Sequence, residues 1–231
     1  MKRVFIVLML CGVSMFSLNA QRVIIEESNV SDTLAPKSGP NYKHYLHPFI
    51  SLGSNVLPGE NGALTKPGLD DFSFGFRYKL RIAEPLAVGF DLAYNNTVFR
   101  MKQTGSKNTP DTLLYDAQRM EFHSARLGAY IRINYGRRGN SLGKYVDLGA
   151  YSEYNFAHTL FTKSTLTDGS VIRINRSKLD YYQPITYGLQ ARIGFNKIIL
   201  YGNYRLSPIF FAPYNFTELS PLIVGIQFVL N

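Results

Sequence analysis

Leu222, Val224, Ile226, Phe228 and Leu230 alternate with Ile223, Gly225, Gln227 and Val229, and only Asn231 follows. A period of two marks a β-strand. An apolar strand with an open edge invites aggregation, so this one needs a partner on each side. The simplest way to supply both is a sheet closed onto its first strand. The same alternation recurs upstream. Phe72, Phe74, Phe76, Tyr78, Leu80 and Ile82 oppose Ser73, Gly75, Arg77, Lys79 and Arg81. Ala125, Leu127, Ala129, Ile131 and Ile133 oppose Arg126, Gly128, Tyr130, Arg132 and Asn134. Further runs start near His44, Leu86, Tyr145, Ile185 and Ile198, which makes eight strands with the last.

The links between these strands alternate in length. One-to-two, three-to-four, five-to-six and seven-to-eight are long; the three between them are short, as at Ala83-Glu84-Pro85 and Asn196. Long links on one side and short turns on the other are the asymmetry of an outer-membrane barrel, whose short turns face the periplasm. Within the third long link, Val171-Ile172-Arg173-Ile174 reads as a strand extension or a small hairpin.

Alternation alone does not say which face is inside, since a soluble barrel has the same period with its apolar face inward. Three features favour apolar-out. The polar rows are rich in glycine, which relieves crowding in a narrow lumen. They also mix signs, so Arg77, Arg126, Arg192 and Arg205 are expected to pair with Asp91, Asp147 and Glu153 rather than remain buried alone. Tyr and Phe, 16 each, recur near strand ends, where aromatic rings settle at a membrane interface. The expected fold is an all-β, eight-stranded antiparallel up-and-down transmembrane β-barrel over residues 44–231.

The first twenty residues read as a signal peptide: Lys2 and Arg3, an apolar run from Val4 to Val13, and Ala20 before Gln21. Cys11 is the only cysteine and lies in that leader, so no disulfide is expected in the exported chain. Residues 21–43 are polar and are expected to form an irregular periplasmic tail. Its apolar cluster Val23, Ile24 and Ile25, with Arg137 and Arg138 in a short turn, is a candidate contact for periplasmic or lipoprotein partners. The net charge of +9 contains no dense basic run, so nucleic acid is not an expected partner.

The leader ending at Ala20, the segment Tyr204-Arg205-Leu206-Ser207-Pro208-Ile209-Phe210 and the closing Ser220 to Phe228 resemble those of the small eight-stranded outer-membrane barrels of Bacteroidetes, the OmpA-like and PorT-like group. The resemblance covers residues 42–231. It implies an outer-membrane address and, for some members, an accessory role in type IX protein secretion. Unlike OmpA, no peptidoglycan-binding domain is expected after the barrel.

Candidate chemistry is sparse. His123 and Ser124 are adjacent on a strand and point to opposite faces, as do His44 and His47, which excludes a nucleophile–base pair from the first and a shared metal from the second. His158 has no serine partner in sequence. No catalytic residue, metal site or cofactor is expected. Ile209, Phe210, Phe211, Tyr214 and Phe216 form an aromatic loop cluster suited to a contact surface. Arg173, Arg176 and Lys178 suit lipopolysaccharide phosphates, and lipid should cover the apolar exterior. Three roles follow in order: a non-enzymatic scaffold in an envelope assembly, a surface-binding protein or adhesin using the long loops, and a lipid-modifying enzyme.

Overall fold

The computed structural model describes residues 39–57, 68–105, 107–136, 139–214 and 216–230. The leader, Val23, Ile24, Ile25, Arg137 and Arg138 lie outside the described residues. The strands are β1 (His44–Asn55), β2 (Asp71–Arg81), β3 (Leu86–Arg100), β4 (Ala117–Tyr135), β5 (Lys144–Thr165), β6 (Val171–Ser177), β7 (Ile185–Phe195), β8 (Ile198–Arg205) and β9 (Leu222–Val229). All pairings are antiparallel. Eight strands close a ring in the order β1, β2, β3, β4, β5, β7, β8, β9. Closure is made by β9 against β1, with Leu52 opposite Ile226 and Ile50 opposite Phe228.

The ninth strand, β6, stands outside the ring. β5 pairs with β7 from Lys144 to Tyr154 and with β6 from Thr159 to Thr165. The run beginning at Val171 is therefore the return strand of a hairpin on the far end of β5. β4 and β5 are the longest strands, at 19 and 22 residues. A tilted strand crosses the hydrocarbon in roughly 9–11 residues, so both continue well past the ring.

Side chains sort as the charged rows require. On β4, Leu127 is 58% exposed while Arg132 is 0% exposed. On β7, Ile185, Tyr187, Leu189, Ile193 and Phe195 face out, and Thr186, Gln190 and Arg192 face in. A protein folded in water does the reverse. The apolar belt ends in paired aromatic and histidine rings. Toward the long links, the Tyr94 hydroxyl lies 2.6 Å from His123 Nδ1, and the outward rows turn polar at Asn96 and Glu121. Toward the short turns, the Tyr78 hydroxyl lies 2.7 Å from His44 Nδ1. A β-bulge between His123 and Ser124 skips Phe156 at the first of these levels.

Glycine makes the interior fit. Gly194 sits opposite Tyr145, and a Cβ there would overlap the Tyr145 ring. Gly89 sits opposite Tyr130 with the same consequence. Each ring lies flat over the bare backbone of the neighbouring strand, which a larger residue would forbid.

Leu127→Arg places a cation on the belt and is expected to lower stability in vesicles by about 2–4 kcal/mol. Leu113→Arg, in an exposed loop beyond the belt, is expected to change it by less than about 0.5 kcal/mol. Urea titration of both variants in lipid checks the pair.

Candidate functional site

Short turns bring the lumen's charges together. Arg77 lies opposite Asp91 across the turn after β2, and Arg132 opposite Asp147 across the turn after β4. From these pairs an alternating chain runs around the wall. Arg77 Nε is 3.7 Å from Asp91, Arg192 is 2.9 Å from Asp91 and 4.0 Å from Asp147, and Arg132 makes two bonds of 2.7 and 2.8 Å to Asp147. The three guanidinium carbons sit 5.4–5.6 Å from the centre of the Tyr130 ring. One electron-rich ring thereby helps offset three buried cations that share two carboxylates. Arg77 also donates to Gln227 at 3.0 Å. Arg132 belonged to the inward row from the start but was not among the residues expected to pair; its signal was Asp147 straight across the turn.

A second pair stands nearer the long links. Arg126 reaches Glu153 at 2.6 Å and lies 4.7 Å over Tyr151. Asp71 accepts from Thr97, Tyr201 and Asn95. Arg205 does not join these carboxylates, contrary to expectation. It binds Glu218 at 3.2 Å and the carbonyls of Ser207 and Leu219. The reason is that the link after β8 folds back over the mouth and brings Glu218 to it.

That link also corrects the aromatic cluster. Ile209 and Phe210 are buried, not presented for contact. They pack with Phe99, Met120, Phe122 and Tyr182 on the inner wall of the projecting strands. Glu218 holds the fold-back by accepting from the Ile209 and Phe210 amides. Phe216 packs partly buried against this roof, and only Phe211 and Tyr214 are exposed. Beneath the roof, beside Arg126 and Glu153, is a cavity of about 30 Å³, enough for a water or two. The other mouth is covered by residues 39–43, with Lys79 bonded to the Pro40 carbonyl and Arg81 to the Asn41 carbonyl. The lumen is closed at both ends by groups it binds.

Outside the ring, the far ends of β3, β4 and β5, with β6, form a projecting sheet. Its outer face carries Arg119, 4.8 Å over Phe161, and Lys163 opposite Arg173. Several nearby acids are engaged elsewhere: Asp70 with Arg100, Asp111 with Lys107, Glu121 with Asn96 and His123, Asp116 with the Thr165 hydroxyl. Among the described residues, Arg119, Lys163, Arg173, Arg176 and Lys178 make no ion pair with a carboxylate.

The histidines are dispersed. His44 and His123 bond tyrosines, His158 Nε2 accepts from the Leu179 amide at 2.9 Å, and His47 is buried against Tyr45. No group of three His, Cys, Asp or Glu side chains suited to a metal occurs among the described residues.

No family model and no curated protein matches the chain. Among solved structures it is similar to Ail, the attachment invasion locus protein of Yersinia pestis, in complex with the heparin analogue sucrose octasulfate. The identity is 13% over 80% of this chain and 94% of that one, with a TM-score of 0.30. A second structure of Ail gives 11% identity over 81% and 95%, with a TM-score of 0.32. The barrel architecture of this chain rests on its own strand pairing.

Arg132→Met leaves Asp147 buried with only the 4.0 Å contact to Arg192 and is expected to cost about 3–5 kcal/mol. Adding Asp147→Leu removes the stranded carboxylate and should restore much of that loss. Denaturant titration in micelles checks the order of the two variants.

Proposed function

We propose that this chain is a non-enzymatic outer-membrane β-barrel that binds an anionic partner at the cell exterior through its projecting sheet. The apolar belt between two aromatic levels supports the membrane address, because an exterior of that kind is stable only against acyl chains. In this reading the long links and β6 face outward, and residues 39–43 with the short turns face the periplasm. The lumen argues against conduction, since its charges are spent on one another and both mouths are covered.

The observation that carries the reading is the cationic projecting sheet. Arg119, Lys163, Arg173 and Arg176 stand beyond the membrane with no carboxylate partner among the described residues. Exposed charges left unpaired raise the local concentration and association rate of an oppositely charged partner. This supports the surface-binding role over the scaffold role. A scaffold in type IX secretion or another envelope assembly keeps one supporting observation: segment 39–43 is docked at the short-turn mouth.

Cells displaying the protein are expected to adhere to a polyglutamate-coated surface, and less so as salt rises. Replacing Arg119, Lys163, Arg173 and Arg176 together by Gln is expected to cut retention by roughly tenfold or more. In intact cells, external protease should reach the Asp168-Gly169 turn. Equal retention of the quadruple variant, or protection of that turn, would contradict the proposal.

A further inference from the structure

β6 has a partner on one side only. The sheet order ends with it, and all seven of its residues are exposed. Its hydrogen-bond phase follows from the turn. The Leu166 amide donates to the Ser170 carbonyl at 2.8 Å, and antiparallel pairs alternate between bonded and non-bonded. Counting along the register, Ser164–Ile172, Thr162–Ile174 and Leu160–Arg176 are the bonded pairs. The N–H and C=O groups of Val171, Arg173, Asn175 and Ser177 therefore point away from β5. No strand of the described residues meets them.

Such an edge is a template for another strand. β6 carries no proline and no bulge to prevent it. Its two faces define what fits. Ile172 and Ile174 expose an apolar strip on one face. On the other, Arg173 stands opposite Lys163, with Arg119 on the same face of the sheet, while Arg176 ends the isoleucine side. A second copy of β6 would bring two basic strands together. An acidic strand would neutralise them.

We infer that the free edge of β6 receives an extended segment of a partner protein, one that alternates acidic and apolar residues and adds to the sheet as a further strand. Main-chain bonds to Arg173 and Asn175 supply the attachment, and the two faces supply the selectivity. The inference deepens the proposed function and rests on it for the sheet's place outside the cell, not for the pairing itself.

The test uses the full-length protein in lipid nanodiscs and a synthetic eight-residue peptide of alternating Glu and Val, with a Lys–Val peptide as the counterpart. The Glu–Val peptide is expected to bind and to shift the amide resonances of Arg173 and Asn175, while the Lys–Val peptide does not. Asn175→Pro removes an outward donor, leaves the β5 ladder intact and is expected to weaken binding about tenfold. Cross-strand NOEs between Thr162 and Ile174 show that the hairpin persists in the variant. Arg173→Glu should reverse the preference between the peptides. Equal binding by Asn175→Pro with its hairpin intact, no binding by the Glu–Val peptide, or a dimer cross-linked through Asn175→Cys would each overturn the inference. Asn175→Pro keeps every cation, so its cells should still adhere to polyglutamate. Loss of adhesion is thereby separated from loss of strand pairing.

Discussion

Hydrocarbon offers no hydrogen bonds, and the rest of the structure follows from that constraint. Every N–H and C=O within the belt must find a partner in the protein, so the sheet has to close. β9 against β1 completes the ring, and once it is complete the side-chain rows have no freedom left. A one-residue slip anywhere would turn leucines into the lumen and arginines into lipid. The charge chain from Arg77 to Arg132 and the aliphatic exterior are two sides of one register.

The lumen then meets a cost of its own. Arginines and carboxylates held away from water are stable only when paired and bonded. Here Asp91 and Asp147 each touch two arginines, and the Tyr130 ring lies among all three guanidinium groups. Residues so engaged are poor candidates for transport or catalysis, because any movement strands a charge. The proposed contact surface is therefore the part that projects past the belt, where β4 and β5 continue and Arg119, Lys163 and Arg173 have no such obligations.

Much of this was legible in the residues. Alternation gave the strand rows, link lengths gave the two ends, and mixed signs among the glycines gave the direction of the lumen. Opposite charges flanking a short turn were readable as neighbours, as with Arg77 and Asp91. The fate of the last long link was not readable. Ile209 and Phe210 look like a contact surface in sequence, because nothing local reveals that the link folds back onto Phe99, Met120 and Phe122. Arg205 was misassigned for the same reason: Glu218 reaches it only through that fold-back. The projecting edge was half visible, since Val171 to Ile174 has strand character but no sign of which neighbour it lacks.

Everything turns on which row of β4 meets lipid, and spin-label accessibility reads this residue by residue. Single cysteines placed from Ser124 to Ile133 in a Cys11-free background, in lipid vesicles, report collision with oxygen, which concentrates in the acyl region. The account predicts a period of two, with maxima at positions 125, 127, 129, 131 and 133. Maxima at 126, 130 and 132, or a flat profile with equal access for a water-soluble nickel complex, would contradict it.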